Sequence, residues 1–253
     1  MTSWGVPARD GFDVRLEWGE RGIETAAVGA AVTIVVDVLS FSTAVDLAVS
    51  RGGIVVPWPW RDASAVEEAK RLGAALAVSR TEVSNEQPFS LSPPTLAGIE
   101  AGTLIVLPSP NGATLSVQAR ERSQFVMAGC LRNASAVARA ALRLAAGRPI
   151  AVIPAGERWP EDDSLRPAIE DLLGAGAIVA GLAAGGLTPS PEAQVAAAAF
   201  EATSDLGEAI AESVSGRELR DIGFGRDVTY ATALDASDAA PLLQDGAYAQ
   251  APG

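Results

Sequence analysis

The chain contains no histidine. Without imidazole, Ser-His-Asp and Cys-His catalysis, histidine phosphotransfer and histidine-ligated zinc are all excluded. Carboxylates, hydroxyls, arginines, backbone amides and a hard metal ion remain. Cysteine is nearly missing as well. The single Cys130 has no partner for an intramolecular disulfide, which fits a reducing compartment, and a small buried apolar role suits it. No stretch approaches the roughly 20 apolar residues of a membrane span, and no basic segment followed by an apolar run opens the chain. Positive charge is scarce, with 19 Lys and Arg against 31 Asp and Glu and a formal net charge of −12. Nucleic acid and anionic membranes reward basic patches, so neither is expected as a partner. A few arginines gathered in a pocket would still hold an anionic substrate. A cytoplasmic protein is the expectation.

At 253 residues the chain can bury a sizeable core, as a single α/β enzyme domain over 1–253 or as two intimate subdomains of about 1–154 and 155–253. Apolar or alternating runs predict strands at 12–18, 32–39, 53–57, 75–78, 104–107, 124–128 and 149–153. Helical spacing occupies 42–50, 63–72, 113–120 and 133–146 between them. Such alternation is the pattern of parallel α/β architecture. Beyond Pro154 helical spacing takes over, at 167–184, 191–203 and 206–219, and no strand is expected after Ile153. The expected fold is therefore three-layer α/β, a largely parallel sheet with helices on both faces and a helix-rich C-terminal half. Residues 250–253 read as a frayed tail, and the polar, proline-bearing segment 83–98 as a long loop over an active site.

Four clusters could carry chemistry. In the first, the β-branched run Val32-Thr33-Ile34-Val35-Val36 ends on Asp37, followed by Ser40, Ser42 and Thr43. An acid at a strand end facing the free N–H groups of a helix start is where open α/β proteins place ligands. Ser42 or Thr43 would cap the helix, and Asp37 would bind magnesium or orient water. A plain strand end and helix cap satisfy the same residues. The second cluster, Leu107-Pro108-Ser109-Pro110-Asn111-Gly112-Ala113-Thr114, joins a strand to a helix through a turn whose N–H groups can converge on an anion. Placed at the same sheet edge as the first, it would help grip the two ends of a dianionic substrate. The third is Ala155-Gly156-Glu157-Arg158, then Asp162, Asp163, Arg166, Glu170 and Asp171. A loop can fold Glu157 and Asp171 towards one metal. Asp162 and Asp163 suit a helix N-terminus, and Glu170 or Asp171, beside an apolar helix face, needs a partner such as Arg158 or Arg166. The fourth runs from Ser215, read as a helix cap, to Gly223 and Asp227, and reads as structural.

Taken in order, these clusters resemble the 2-phosphosulfolactate phosphatase family. Its Asp-Val-Leu-Arg-Ala-Ser-Thr signature is met by Asp37-Val38-Leu39-Ser40-Phe41-Ser42-Thr43, and its Asn-Gly-Thr turn by Asn111-Gly112-Ala113. Gly156-Glu157, Ile169-Glu170-Asp171 with Ala175-Gly176-Ala177, and Ser215, Leu219, Gly223 and Asp227-Val228 match the later motifs. The resemblance implies a magnesium-dependent phosphoric monoester hydrolase that converts 2-phospho-3-sulfolactate to 3-sulfolactate on the route to coenzyme M. It makes Asp37, Asn111, Glu157, Glu170 and Asp171 site residues, and the reading built on it gives catalysis to Asp37, Glu157 and Arg158 and substrate contacts to Ser40, Ser42, Thr43, Ser109, Asn111 and Gly112. Asp37, Glu157, Glu170 and Asp171 become the metal ligands. A homo-oligomer is compatible with it. The chain also departs from the pattern. Ser40 replaces the family's arginine, Ala113 its threonine, and Phe89-Ser90-Leu91-Ser92-Pro93 shortens its Phe-Asp-x-Gly-Asn-Ser-Pro segment. Losing the arginine removes a bidentate donor, for which Arg158 and Arg80 are the candidate replacements. The departures leave two rivals, a silent anion-binding protein and a phosphatase for another small organophosphate.

Overall fold

The computed structural model describes residues 11–252. The first ten residues, which bear on the expected lack of a leader, and Gly253 lie outside that span. Where aliphatic and β-branched residues run together, strands form: β1 (Val14–Leu16), β2 (Val32–Val36), β3 (Ile54–Trp58), β4 (Ala75–Leu76), β5 (Leu104–Pro108), β6 (Phe125–Gly129) and β7 (Ile150–Pro154). Each overlaps a strand expected from the sequence. Helices α1 (Gly19–Thr25), α2 (Phe41–Ser50), α3 (Ala63–Leu72), α4 (Gly112–Ala119) and α5 (Ala134–Ala145) alternate with them. The following helices are α6 (Ile169–Ala184), α7 (Pro191–Ala202), α8 (Leu206–Ala211), α9 (Val214–Asp221) and α10 (Gly225–Ala231). The single helix expected over 206–219 is two, because Ser213 starts α9 by accepting the Gly216 N–H, and Ser215 lies inside α9 instead of capping it.

The expectation of no strand after Ile153 is corrected. A short hairpin, β8 (Glu157–Arg158) with β9 (Leu165–Arg166), follows β7, and a second, β10 (Pro241–Gln244) with β11 (Ala247–Gln250), enters the main sheet. Gln250 thus ends a strand, and Ala251 is buried instead of fraying. Among the described residues the main sheet has nine strands, in the order β1-β7-β2-β6-β10-β11-β3-β5-β4. Strands β1, β7, β2 and β6 are mutually parallel, as are β3, β5 and β4. The hairpin is antiparallel to the neighbour on either side, pairing Leu242 with Met127 and Tyr248 with Val55. Consequently the two parallel blocks run in opposite directions. The first and second clusters do not share one sheet edge by strand direction.

They meet because the blocks close over a common core. Alternate residues of β2 face opposite sides, as a period of two requires. Ile34 and Val36 pack with Val137 of α5, Ile178 of α6 and Ala196 of α7. Val35 packs with Phe41 and Val45 of α2, Leu115 of α4, Val55 of β3 and Leu107 of β5. On the far side of β3 and β5, Val56 and Val106 cover Ala65 and Ala69 of α3. Helices therefore line both faces of a mostly parallel sheet. The Ala175-Gly176-Ala177 motif has a packing reason, since a Cβ at Gly176 would lie 2.1 Å from the Ala196 carbonyl of α7.

Candidate active site

Asp37 stands one residue past β2, and its carboxylate joins the starts of two helices. Its Oδ1 accepts the Phe41 N–H of α2 at 3.1 Å, and its Oδ2 accepts the Gly112 N–H of α4 at 2.9 Å. Both donors belong to helix N-termini, where N–H groups lack intrahelical partners and the dipole favours an anion. Only glycine fits at 112, because a Cβ there would lie 2.4 Å from the Phe41 ring and 2.7 Å from Asp37 Oδ2. Burial nevertheless dominates the charge. It raises the Asp37 carboxyl to about 6, with the two N–H groups and the Arg80 guanidinium opposing and Glu170 reinforcing.

The hydroxyls expected to cap α2 do something else. Ser42 Oγ accepts the Asp37 N–H and donates to the Val35 carbonyl, both at 3.1 Å, while Thr43 Oγ1 donates to the Val38 carbonyl at 2.8 Å. Both side chains are fully buried. They tie the strand to its own helix and present no hydroxyl to a ligand. Ser40 holds the cap position without a side-chain cap, and its Oγ accepts from Arg80 Nη2 at 2.7 Å. Ser109 is buried, its N–H bonded to the Trp58 carbonyl of β3.

From the β5 junction, Asn111 Nδ2 donates to Glu157 Oε2 at 3.0 Å. Burial, then the charges of Asp37 and Glu170, push Glu157 up to about 8. A cavity of about 150 Å³ opens beside it, lined by Trp18, Asn111, Thr114, Arg158 and Leu165. At the start of α6, Asp171 accepts the Val38 N–H at 2.7 Å and the Gly156 N–H at 2.8 Å, one on each oxygen. Its carboxyl is raised by burial and by Asp37 and Glu170. Asp171 thereby stitches the β2 and β7 junctions together. Its neighbour Glu170 is 1 % exposed, with Ser213 Oγ 3.4 Å from its Oε2.

The arginines expected to balance Glu170 and Asp171 turn elsewhere. Arg158 pairs with Glu20 at 2.8 Å and Asp163 at 3.1 Å, and Arg166 pairs with Glu218 at 2.9 Å. Asp162 and Asp163 sit in the turn between β8 and β9, away from the α6 start that they were expected to favour. Asp227, read as structural, is the ion-pair partner of the arginine that reaches Ser40. It is 1 % exposed in the first turn of α10 and accepts from Arg80 Nε at 3.0 Å and from Ser92 Oγ. The one signal for it in the sequence was the Asp227-Val228 match, since its partners stand 147 and 135 positions away.

The family described as 2-phosphosulpholactate phosphatase matches residues 20–246, which takes in every charged group above. The chain belongs to that family. A probable 2-phosphosulfolactate phosphatase of Deinococcus radiodurans is 30% identical over 201 residues, covering 79% of this chain and 70% of that protein. The 2-phosphosulfolactate phosphatase of Methanothermobacter thermautotrophicus is 30% identical over 218 residues, 86% of this chain and 89% of that protein. A probable member from Carboxydothermus hydrogenoformans is 28% identical over 221 residues, 84% and 87% of the two chains.

The magnesium that the family resemblance implies can be weighed against these donors. Among the described residues no three acidic or cysteine side chains form a ready cage. Asp37 and Asp171 already accept an N–H on each oxygen. What the region offers is hard oxygen donors, buried and short of positive charge. That suits an ion that keeps several waters and takes one or two carboxylates together with substrate phosphate.

Proposed function

We propose that the chain hydrolyses the phosphate monoester of a small anionic hydroxyacid, 2-phospho-3-sulfolactate, to 3-sulfolactate and phosphate. One observation carries the reading: Asp37 is held between two helix starts, with a carboxyl near 6, within charge range of a second, partly buried acid near 8. Two interacting carboxyls driven to different proton affinities are the usual mark of acid–base work. In hydrolysis a water oxygen bonds to phosphorus as the bond from phosphorus to the hydroxyacid oxygen breaks, that oxygen keeping the bond's electron pair and taking a proton from Glu157, which still holds one at neutral pH. Asp37 takes the water's proton, since a base near neutral pH is both free to accept and strong enough to do so. Asn111 fixes Glu157, and Gly112 lets the α4 start approach Asp37.

Magnesium belongs to the proposal. Glu170 would hold it together with the substrate's phosphate, leaving Glu157 its proton, and when bound it would offset phosphoryl charge and acidify water. In this reading Ser42, Thr43 and Asp171 position the elbow, and Arg158 braces the β8–β9 hairpin through Glu20 and Asp163. The direct test is phosphate release from 2-phospho-3-sulfolactate, in magnesium and in excess chelator. Release that stops in chelator is expected. Equal rates in both remove the metal from the reading, and no release from this ester or from a panel of small organophosphates returns the chain to the silent anion binder.

A further inference from the structure

Arg80 lies in a short turn (Arg80–Glu82) after β4, and three groups hold its guanidinium. Nη2 donates to Ser40 Oγ at 2.7 Å, Nε donates to Asp227 Oδ2 at 3.0 Å, and the group lies 5.8 Å from the Phe224 ring centre. Asp227 is itself fixed by Ser92 Oγ. An arginine pinned along one edge and one face has lost most of its rotamer freedom before any ligand arrives. Nη1 has no hydrogen-bond partner among the described residues, and the side chain keeps 22% exposure while Asp227 has 1%. The side chain is therefore open in part to solvent, and its bond to Ser40 holds it at the head of α2, within charge range of Asp37.

We propose that Arg80 grips a tetrahedral oxyanion of the substrate, with Asp227 and Ser40 as positioning residues that aim its fork. The proposal deepens the phosphatase reading and rests on it for the identity of the substrate. Charge around the fork supports it. Arg61, three residues past β3, has its pKa lowered by burial and then by the Arg80 charge. Two guanidinium groups that repel each other become a favourable pair once an anion joins them. Chemistry supports it too, because a planar fork offers two parallel N–H bonds to a phosphoryl or sulfonate group. Ser40 makes the arrangement possible. Small and uncharged, it accepts from Arg80, so a guanidinium from position 80 serves the elbow whose own sequence carries none.

Binding can be read without turnover, by titration calorimetry in chelator with three probes. These are 2-phospho-3-sulfolactate, 2-phospholactate, which lacks the sulfonate, and 3-sulfolactate, which lacks the phosphoryl group. Arg80→Gln is expected to weaken the full ester about tenfold or more, with the thermal midpoint close to wild type. Arg80→Lys should fall between, because it keeps the charge and loses the fork. If the loss recurs with 3-sulfolactate alone, Arg80 holds the sulfonate; if with 2-phospholactate alone, the phosphoryl group. Asp227→Asn should also weaken binding, and Asp227→Glu should recover part of it. Free guanidinium should partly restore binding to Arg80→Ala, which a merely structural role would not allow. Unchanged affinities in Arg80→Gln overturn the proposal. Should wild type bind none of the three, inorganic phosphate and sulfate separate the readings. Affinity for them that is lost in Arg80→Gln keeps the anion site while the substrate falls, and no affinity for either overturns both.

Discussion

At the scale of residues, the site turns on how closely backbone approaches Asp37. Gly112 matters for what it lacks. Substituting Gly112→Ala places a methyl group where the Phe41 ring and Asp37 Oδ2 already are, so α4 must retreat or the carboxylate must turn. Either movement breaks the 2.9 Å hydrogen bond. Overpacking of this kind costs about 1–3 kcal/mol, and the expected result is a thermal midpoint lower by several degrees with phosphate release lost almost completely. A variant with wild-type turnover would show that the contact between α4 and Asp37 plays no part in the reaction. The residues that were legible beforehand share a trait. Asp37, Asn111 and Glu157 stand just after strands, where chain position alone suggests a site. Ser42 and Thr43 stood in equally suggestive places, yet their hydroxyls turn inward to backbone groups only five to seven residues away. Sequence does not say which way a hydroxyl rotates.

Among the elements, the hairpin β10–β11 does more than fill the middle of the sheet. Tyr248 is fully buried, its ring 6.2 Å from that of Phe41, and its hydroxyl donates to Ser116 Oγ at 2.8 Å. Ser116 in turn donates to the Gly112 carbonyl at 2.6 Å. A chain of hydrogen bonds therefore runs from the last strand to the glycine that touches Asp37. Tyr248→Phe should lower stability by about 1 kcal/mol and slow phosphate release several-fold, because α4 loses its brace. Chemical denaturation and the phosphate assay on the same preparation check both; stability lost with turnover untouched would mean that the brace does not reach the site. The hairpin carried a sequence signal that composition masked. Asp245-Gly246 is a favoured two-residue turn, and both residues have positive φ, 51° and 88°. The flanking Pro-Leu-Leu-Gln and Ala-Tyr-Ala-Gln are too short and too poor in β-branched residues to stand out as strands. The parallel strands were legible for the opposite reason. Buried on both faces, as all five residues of β2 and of β7 are, they read as unbroken apolar runs.

For the molecule as a whole, the acid cluster links the site to stability. Glu157 near 8 and Asp37 near 6 compare with ordinary values of 4.5 and 3.8, so between about pH 4 and 8 the folded chain holds protons that the unfolded chain has released. Stability from these two groups is complete below that window and is lost as pH rises through it, by up to about 1.4 kcal/mol per pH unit for each proton. In chelator, the thermal midpoint of wild type should fall between pH 6 and 8, and Glu157→Gln should flatten that slope. An identical slope in the variant would remove Glu157 as its source. Distance explains why this part of the site was only partly legible. The Asp37, Asn111 and Glu157 junctions follow three strands drawn from two oppositely directed blocks, and Arg80 and Asp227 arrive from a loop and a late helix. Pattern along the chain locates each piece, whereas their meeting depends on how the blocks close.

That closure has an order in time. The two strands that join the blocks come after every other strand of the sheet, so a ribosome has delivered both blocks before the piece between them exists. Until residues 241–250 emerge, β6 and β3 each present a row of unpaired N–H and C=O groups. Exposed edges of that kind invite pairing with other chains. The newborn protein thus passes through an interval of vulnerability that ends with its last hairpin, and chaperone demand should track the delay before that hairpin is made.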